Sequence, residues 1–461
     1  MTMERSAGYA IHLFVLLTLV TCGDGDATSS DEVERFTSGD TTIVRYHSGL
    51  GAWGDTMTLV PELEIGTIDG PPETVFGDVT SVAVRRDGNI LVLDAQARAV
   101  REFDSRGRYV RTLGRAGEGP GEFGRPMAVR VDPAGRTLVL DWNQRMTVFS
   151  VDGTPERTWL LQGSRPAYDF TIDTLGNTYV LIRMPEPPGT PSPLPGENAA
   201  ACVAYQRYAP DGTPGDTLPP GGVIMDPPGQ LRVGEEGRWR PKGNFAPLGI
   251  VAIHPFGWTL TGVADRYAVD LTRYPSSGTD STGSDRPRIL RIERVVNPAP
   301  IVDEEWDEWQ AYIDAWLEQR RERVSRVEAR EGILLPDPQR PYFPEEPFKP
   351  YLRWPSFGLD GRIWINRYAP SVKEPPGALP EPEPSSSGPP PLPKLTWTEQ
   401  FHYDVFEPDG TFLGTVVVPG GHRISTQEGM YVWGIRRDEF DVPYVFRAKL
   451  VAKGDLPAPE R

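Results

Sequence analysis

Cysteine, lysine and histidine are all scarce in this chain. Its 461 residues hold two Cys, five His and only six Lys against 42 Arg. Two cysteines, Cys22 and Cys202, leave no disulfide framework to staple a small fold. Cys202 sits in the apolar run Ala200-Ala201-Cys202-Val203-Ala204, the setting of a small buried hydrophobe. Nothing beside it would lower its pKa, so a catalytic thiol is not expected. The histidines (His12, His47, His254, His402, His422) are dispersed, and no H-E-x-x-H, C-x-x-C or G-x-S-x-G motif is present. A three-His zinc site is not expected from them, and no cofactor is expected. Basic residues are outnumbered 48 to 64, a net charge of −16 that argues against nucleic acid as a partner. No segment is apolar for long enough to make a transmembrane helix.

Glycine and proline are abundant instead, at 48 and 49 residues. Neither is tolerated in helix interiors, so a helical bundle is excluded and short strands joined by many turns are favoured. At the N-terminus, Tyr9–Thr21 is an apolar run of signal-peptide length. It ends in Leu19-Val20-Thr21-Cys22 and is followed by a polar stretch, which resembles the lipobox of bacterial lipoproteins. The expectation is a signal peptide at 1–22, lipidation at Cys22 and a flexible tether over 23–40. The implied address is the bacterial cell envelope, with the lipid anchor as the only membrane contact. The alternative is an ordinary cleaved signal and a secreted soluble protein.

An internal repeat dominates the rest. Residues 82–114 and 128–160 align almost without gaps, pairing Gly88 with Gly135, Asp94 with Asp141, Phe103 with Phe149 and Gly107 with Gly153. Apolar alternation such as Val82-Val84 and Leu91-Leu93 fits half-buried antiparallel strands. Four strands in each unit is the size of a propeller blade. The first-hairpin glycine recurs as Gly88, Gly135, Gly176, Gly257, Gly361 and Gly429, which predicts six blades. An aromatic-x-x-x-Gly turn recurs at Phe103/Gly107, Phe149/Gly153, Tyr208/Gly212 and Phe406/Gly410. These repeats, and the linker Leu113–Pro126, resemble NHL-type repeats of bacterial six-bladed β-propellers with a TolB-like fold. That resemblance implies a fold and no activity.

The expected architecture is all-β: a six-bladed propeller over 41–455 with a tail at 456–461. Leu63-Glu64-Ile65-Gly66 followed by Phe76-Gly77 matches Leu113-Gly114 followed by Phe123-Gly124. Leu59–Ile65 is therefore read as the outermost strand of a last blade whose other strands come from the C-terminus, closing the ring without an exposed edge. Insertions are read at 185–198, 215–243, 276–286, 302–345 and 374–394. In the fourth, Trp306, Trp309, Ile313 and Trp316 recur at helical spacing, predicting a helix over 303–331 with Asp303 as N-cap and Gly332 as its stop. The last is Pro-rich and cannot enter a sheet.

Asp94 and Asp141 sit at equivalent repeat positions and are read as turn residues bonding nearby amides, not as a catalytic pair. Counting back from each turn glycine places Arg125, Arg165, Arg353, His422 and Arg423 at one rim of the channel, where inner strands begin. Converging guanidiniums suit an anionic ligand. The alternative is ordinary pairing with loop acids such as Glu73, Glu118 and Glu122. Only Asp78 and Asn244 there could serve calcium, which wants six to eight oxygens, so no metal site is expected. The function read from this is a non-enzymatic scaffold, a monomer, binding an anionic small molecule or an envelope protein. The alternative is a metal-assisted hydrolase or lyase on the same scaffold.

Overall fold

The computed structural model describes residues 33–161, 169–184, 201–225, 230–233, 238–241, 249–274, 287–332, 334, 348–375 and 391–456. Cys22, the signal segment, Arg165, Asn244 and the centre of the Pro-rich insertion lie outside the described residues.

Six four-stranded antiparallel units follow one another along the chain. Blade 1 is Val79–Val84, Ile90–Asp94, Ala99–Phe103 and Tyr109–Leu113; blade 2 is Pro126–Val131, Thr137–Asp141, Arg145–Phe149 and Pro155–Leu160. Blade 3 is Thr171–Ile172, Thr178–Met184, Ala201–Tyr208 and Pro214–Met225; blade 4 is Gly249–Ile253, Thr259–Val263, Ala268–Arg273 and Arg288–Arg294. Blade 5 is Leu352–Phe357, Ile363–Arg367, Phe401–Phe406 and Phe412–Val418. Blade 6 takes His422–Glu428, Tyr431–Arg437 and Pro443–Ala452 from the C-terminus, and its outermost strand, Met57–Ile65, from the N-terminus. Leu59 lies opposite Leu450 and Ile65 opposite Val445, so the ring is closed as the repeat pattern requires.

The core lies between blades. Leu91, Leu93, Val100, Phe123, Val129, Val139 and Phe149 make one such layer, all essentially without solvent contact. The second turns of blades 1, 2 and 3 explain why a glycine recurs there. A Cβ on Gly153 (φ 89°) would lie 2.7 Å from Leu113 of blade 1, and one on Gly212 (φ 88°) 2.8 Å from Trp159 of blade 2. The turn thus needs both a left-handed backbone and room against the preceding blade's outer strand. Gly107 meets Leu63 and Ile65 in the same way, which seats blade 1 against the closing strand of blade 6.

The expected tether does not extend to residue 40. Val33–Ser38 is a strand paired in antiparallel register with Thr41–Tyr46, which in turn runs parallel to Arg288–Arg294 at the outer edge of blade 4. Gly39-Asp40 makes the two-residue turn, with Gly39 at φ 59°. Beyond it, Ala52 and Trp53 donate backbone hydrogen bonds to Phe412 and Leu413 of blade 5. Residues 33–65 therefore form a strap across blades 4, 5 and 6. Tyr46 fixes its middle: its hydroxyl donates to the Gly410 carbonyl at 2.9 Å and accepts from the Phe412 amide at 2.8 Å.

The predicted helix is present over Asp303–Glu331 and stops at Gly332 in the left-handed region. Its N-cap is Val302 rather than Asp303, and no side chain caps it; Asp303, Glu304 and Glu305 instead fill the first turn. Acids there suit the macrodipole without a cap bond. The Trp stripe lies half-buried, around the buried pair Ile313 and Leu317. No helix among the described residues is long and apolar enough to cross a membrane.

Candidate functional site: the mouth where inner strands begin

Strand alternation gives the ring two unlike faces. On one, the links 85–89, 104–108, 132–136, 150–154, 173–177, 209–213, 254–258, 358–362 and 407–411 are five residues each, and only 274–287 is longer. The other face carries the starts of the innermost strands. It also carries the long links 185–200, 226–248, 295–351 (with the helix) and 368–400. The described candidate rim residues, Arg125, Arg353, His422 and Arg423, belong to this second face, the mouth.

The two repeat aspartates hold the mouth together. Asp94 accepts the amides of Gly77 (3.0 Å), Asp78 (3.2 Å) and Ala97 (3.0 Å), and pairs with Arg101 at 3.2 Å. Asp141 accepts the amides of Gly124 at 2.7 Å and Arg125 at 2.6 Å, and pairs with Arg145 at 3.3 Å. Both carboxylates are buried, and each satisfies amides at the entry to its innermost strand. They are committed to structure, as the turn reading expected.

Arg125, held at its amide by Asp141, is exposed and lays its guanidinium over the Trp142 ring at 4.8 Å. Arg423, also exposed, donates to the Thr80 carbonyl at 2.9 Å. Thr80 lies in the innermost strand of blade 1, so Arg423 and Arg125 flank that strand from blades 6 and 2. His422 bonds the Gly420 carbonyl through Nδ1 at 3.0 Å and packs against Phe446. Arg353 is differently placed. It pairs with Glu399 at 2.6 Å and lies over Tyr368 at 4.1 Å.

Of the acids expected to neutralise this rim, Glu118 and Glu122 do other work. Glu122 pairs with Arg115 at 2.8 Å and Glu118 approaches Arg145 at 3.8 Å. The Glu122 carboxyl is held below its ordinary range, first by the Gly119 amide and then by Arg115. Asp78, the candidate calcium ligand, pairs with Arg437 at 2.9 Å.

Sequence reasoning missed Glu399 and Lys349. Lys349 is completely buried and pairs with Glu399 at 2.7 Å and with Glu305 of the helix at 3.0 Å. Ser371 donates to Glu305 at 2.7 Å. A continuous polar chain therefore runs from the first turn of the helix, through Lys349 and Glu399, to Arg353 at the mouth. No spacing rule could have found it, because its members come from segments separated by the Pro-rich insertion.

The remaining histidines do not converge. His254 lies in the first turn of blade 4, on the face away from the mouth. Its Nε2–H donates to Gly361 at 2.7 Å, and its Nδ1 accepts the Phe256 amide at 3.1 Å. Burial pushes its pKa down to about 4. His402, in the third strand of blade 5, is pushed down to about 4 by burial and then by Arg367.

Among solved structures, the chain is similar to a Bacteroides vulgatus ATCC 8482 member of the DUF4221 family. The identity is 10%, over 87% of this chain and 99% of that one, with a TM-score of 0.46. It is also similar to a Bacteroides fragilis NCTC 9343 protein named as a candidate exported protein (9% identity, 89% and 99% covered, TM-score 0.42). A third is virginiamycin B lyase from Staphylococcus aureus (10% identity, 84% and 99% covered, TM-score 0.35). No curated protein matches the sequence. Residues 71–165 match the family model DUF5128, described as a 6-bladed beta-propeller. Blade 1, blade 2 and the linker between them fall in that match, and the chain is a six-bladed β-propeller.

Proposed function

We propose that this propeller is exported, is anchored to the membrane through a lipidated Cys22, and acts as a non-enzymatic scaffold. Its ligand is an anionic small molecule or an acidic envelope partner, bound at the mouth. The observation that carries this reading is the pair Arg125 and Arg423. Among the described residues neither has a carboxylate within ion-pair distance, although the chain as a whole stands at −16. Both project from the face that collects the long insertions, where binding residues are carried in loop-decorated scaffolds. A guanidinium offers a planar fork of donors to a carboxylate or phosphate. Arg125 is also braced by Trp142, which lowers the ordering cost of using it.

The test is a thermal-shift screen of acidic metabolites and acidic glycans, repeated on Arg125→Ala and Arg423→Ala. A true ligand shifts the melting of the wild type and loses that shift in the variants. The shift also weakens in high salt, because exposed charges are screened. A hit that survives both substitutions places binding elsewhere. Anchoring is tested separately by fractionating cells that carry Cys22→Ser. The wild type should sediment with membranes and the variant should not, and a soluble wild type ends that part of the reading.

A further inference from the structure

We propose that Arg353 and Trp354 form a subsite of the mouth that takes a ring-bearing carboxylate; this rests on the anion-binding reading above. The innermost strand of blade 5 does not run in simple register with its neighbour. Leu352 pairs with Arg367 and Pro355 with Ile365, so one extra residue is pushed out between them. The innermost strands of blades 1, 2 and 6 slip likewise, between Val79 and Ser81, Pro126 and Ala128, and Ile424 and Thr426. A bulge re-aims side chains and is frequent beside functional sites. In three blades it presents Thr80, Met127 or Ser425, whereas in blade 5 it presents Arg353 and Trp354.

These two side chains have features that packing does not account for. Trp354 is 62% exposed on an innermost strand, while Leu352 two residues before it is fully buried. Arg353 is held still by the Tyr368 face and by Glu399, and its side chain is still 26% exposed. A guanidinium fixed in place with open surface suits a carboxylate, and an exposed indole is an open apolar face. A small inorganic anion would meet the guanidinium and leave the indole in water. A neutral ring would cover the indole and leave the guanidinium without an anion from the ligand. A carboxylate carried on a ring satisfies both. That chemistry is found in uronic-acid sugars and in aromatic acids.

The experiment is calorimetric titration of the full chain with digalacturonate and with phenylacetate, each beside a control that lacks one half of the chemistry. The controls are the methyl ester of digalacturonate, without charge, and acetate, without a ring. At least one of the two acids should bind, and the arm that binds identifies the source of the ring. Its control should bind more weakly. Trp354→Ala should cost about fivefold to tenfold in affinity, the scale of one aromatic stacking contact, and Trp354→Phe should keep most of it. Because Trp354 is exposed, the alanine variant should melt with the wild type, which separates a lost contact from a lost fold. Failure of both acids to bind, or equal binding to Trp354→Ala, overturns the subsite. If Arg125→Ala loses binding while Trp354→Ala does not, the mouth reading stands and the subsite falls. Binding untouched by either variant sinks both.

Discussion

Replacing Tyr46 by Phe tests whether the N-terminal strap is part of the folded ring. The ring face of Tyr46 would stay where it is, against Phe412 at 5.6 Å and Phe406 at 6.1 Å. Only the hydroxyl is lost, and with it the bond to the Gly410 carbonyl and the bond from the Phe412 amide. Tyr46 is 7% exposed and Gly410 and Phe412 are buried, so water does not replace the hydroxyl freely. Burial pushes the phenol pKa up, so the group remains a donor at any working pH. Each buried polar group left unpaired costs about 1–3 kcal/mol, so two orphaned backbone groups should cost roughly 2–4 kcal/mol once some relaxation is allowed. That is a large fraction of the roughly 5–15 kcal/mol available to a domain. The assay is urea unfolding, read as a fall in midpoint at unchanged slope. Tyr109→Phe is the control, since that hydroxyl bonds Thr112 at an exposed site and its loss should leave the midpoint in place. Deleting Val33–Ser38, whose six residues are all exposed, should also cost little. If Tyr46→Phe unfolds with the wild type, the strap is not clamped to blade 5 in solution and the argument fails.

Three further perturbations address other joints. His254 is neutral when folded, with a pKa near 4 against an unfolded value of 6.5, so its contribution is complete above pH 6.5 and is lost as pH falls toward 4. Between pH 7 and pH 5 this amounts to about 2 kcal/mol, and His254→Phe should flatten that part of the pH–stability curve in urea melts; an unchanged slope would refute it. Lys349→Met strips the cation from two buried carboxylates, Glu305 and Glu399, and should cost about 3–5 kcal/mol by chemical denaturation. Equal stability would mean the pairs are not formed. Gly153→Ala should lower the melting temperature through a loss of at least about 1–2 kcal/mol from the left-handed backbone alone. Gly39→Ala, with nothing within 4 Å of its Cβ, pays only the backbone part, so the two variants should differ, and equal melting would deny the contact with Leu113.

The ring was legible in the sequence because its signals are local. Gly88, Gly107, Gly135 and Gly153 all stand at positive φ, a demand that each turn makes on its own residue. The closing strand was legible for a related reason: the Leu63–Gly77 stretch repeats the linker pattern of Leu113–Gly124, so it had to occupy the same place in a blade. Residues 33–40 have the composition of a linker, which masks the strap's first strand. Yet Gly39-Asp40 between Val33–Ser38 and the alternating Thr41–Tyr46 is a hairpin signal. The mouth was legible only as a register of positions. Arg353 could be placed at the start of an inner strand by counting from Gly361. That its carboxylate partner is Glu399, from beyond the Pro-rich insertion, depends on how a long loop returns. The bulge at Trp354 depends on pairing with Ile363–Arg367, which no count along one strand contains.

The difference between the two faces follows from how blades pack. On the face of short turns, the second-turn glycines of blades 1, 2 and 3 are wedged against the outer strand of the blade before. Gly107 faces Ile65, Gly153 faces Leu113 and Gly212 faces Trp159, each closer than a Cβ would allow or nearly so. A longer link there would have to displace the neighbouring blade, so those turns are fixed in length as well as in residue type. At the mouth the constraint is different in kind. The entry to an innermost strand is secured by a side chain, Asp94 or Asp141, that caps amides from behind. The loop in front of it is free to grow. The 295–351 insertion shows the consequence: its helix is tied back to the mouth by Glu305, Lys349 and Glu399, and the chain ends on Arg353. An anion competing with Glu399 for Arg353 would therefore act on the same buried pairs that seat the helix, so occupancy of the mouth and docking of the helix share one set of charges.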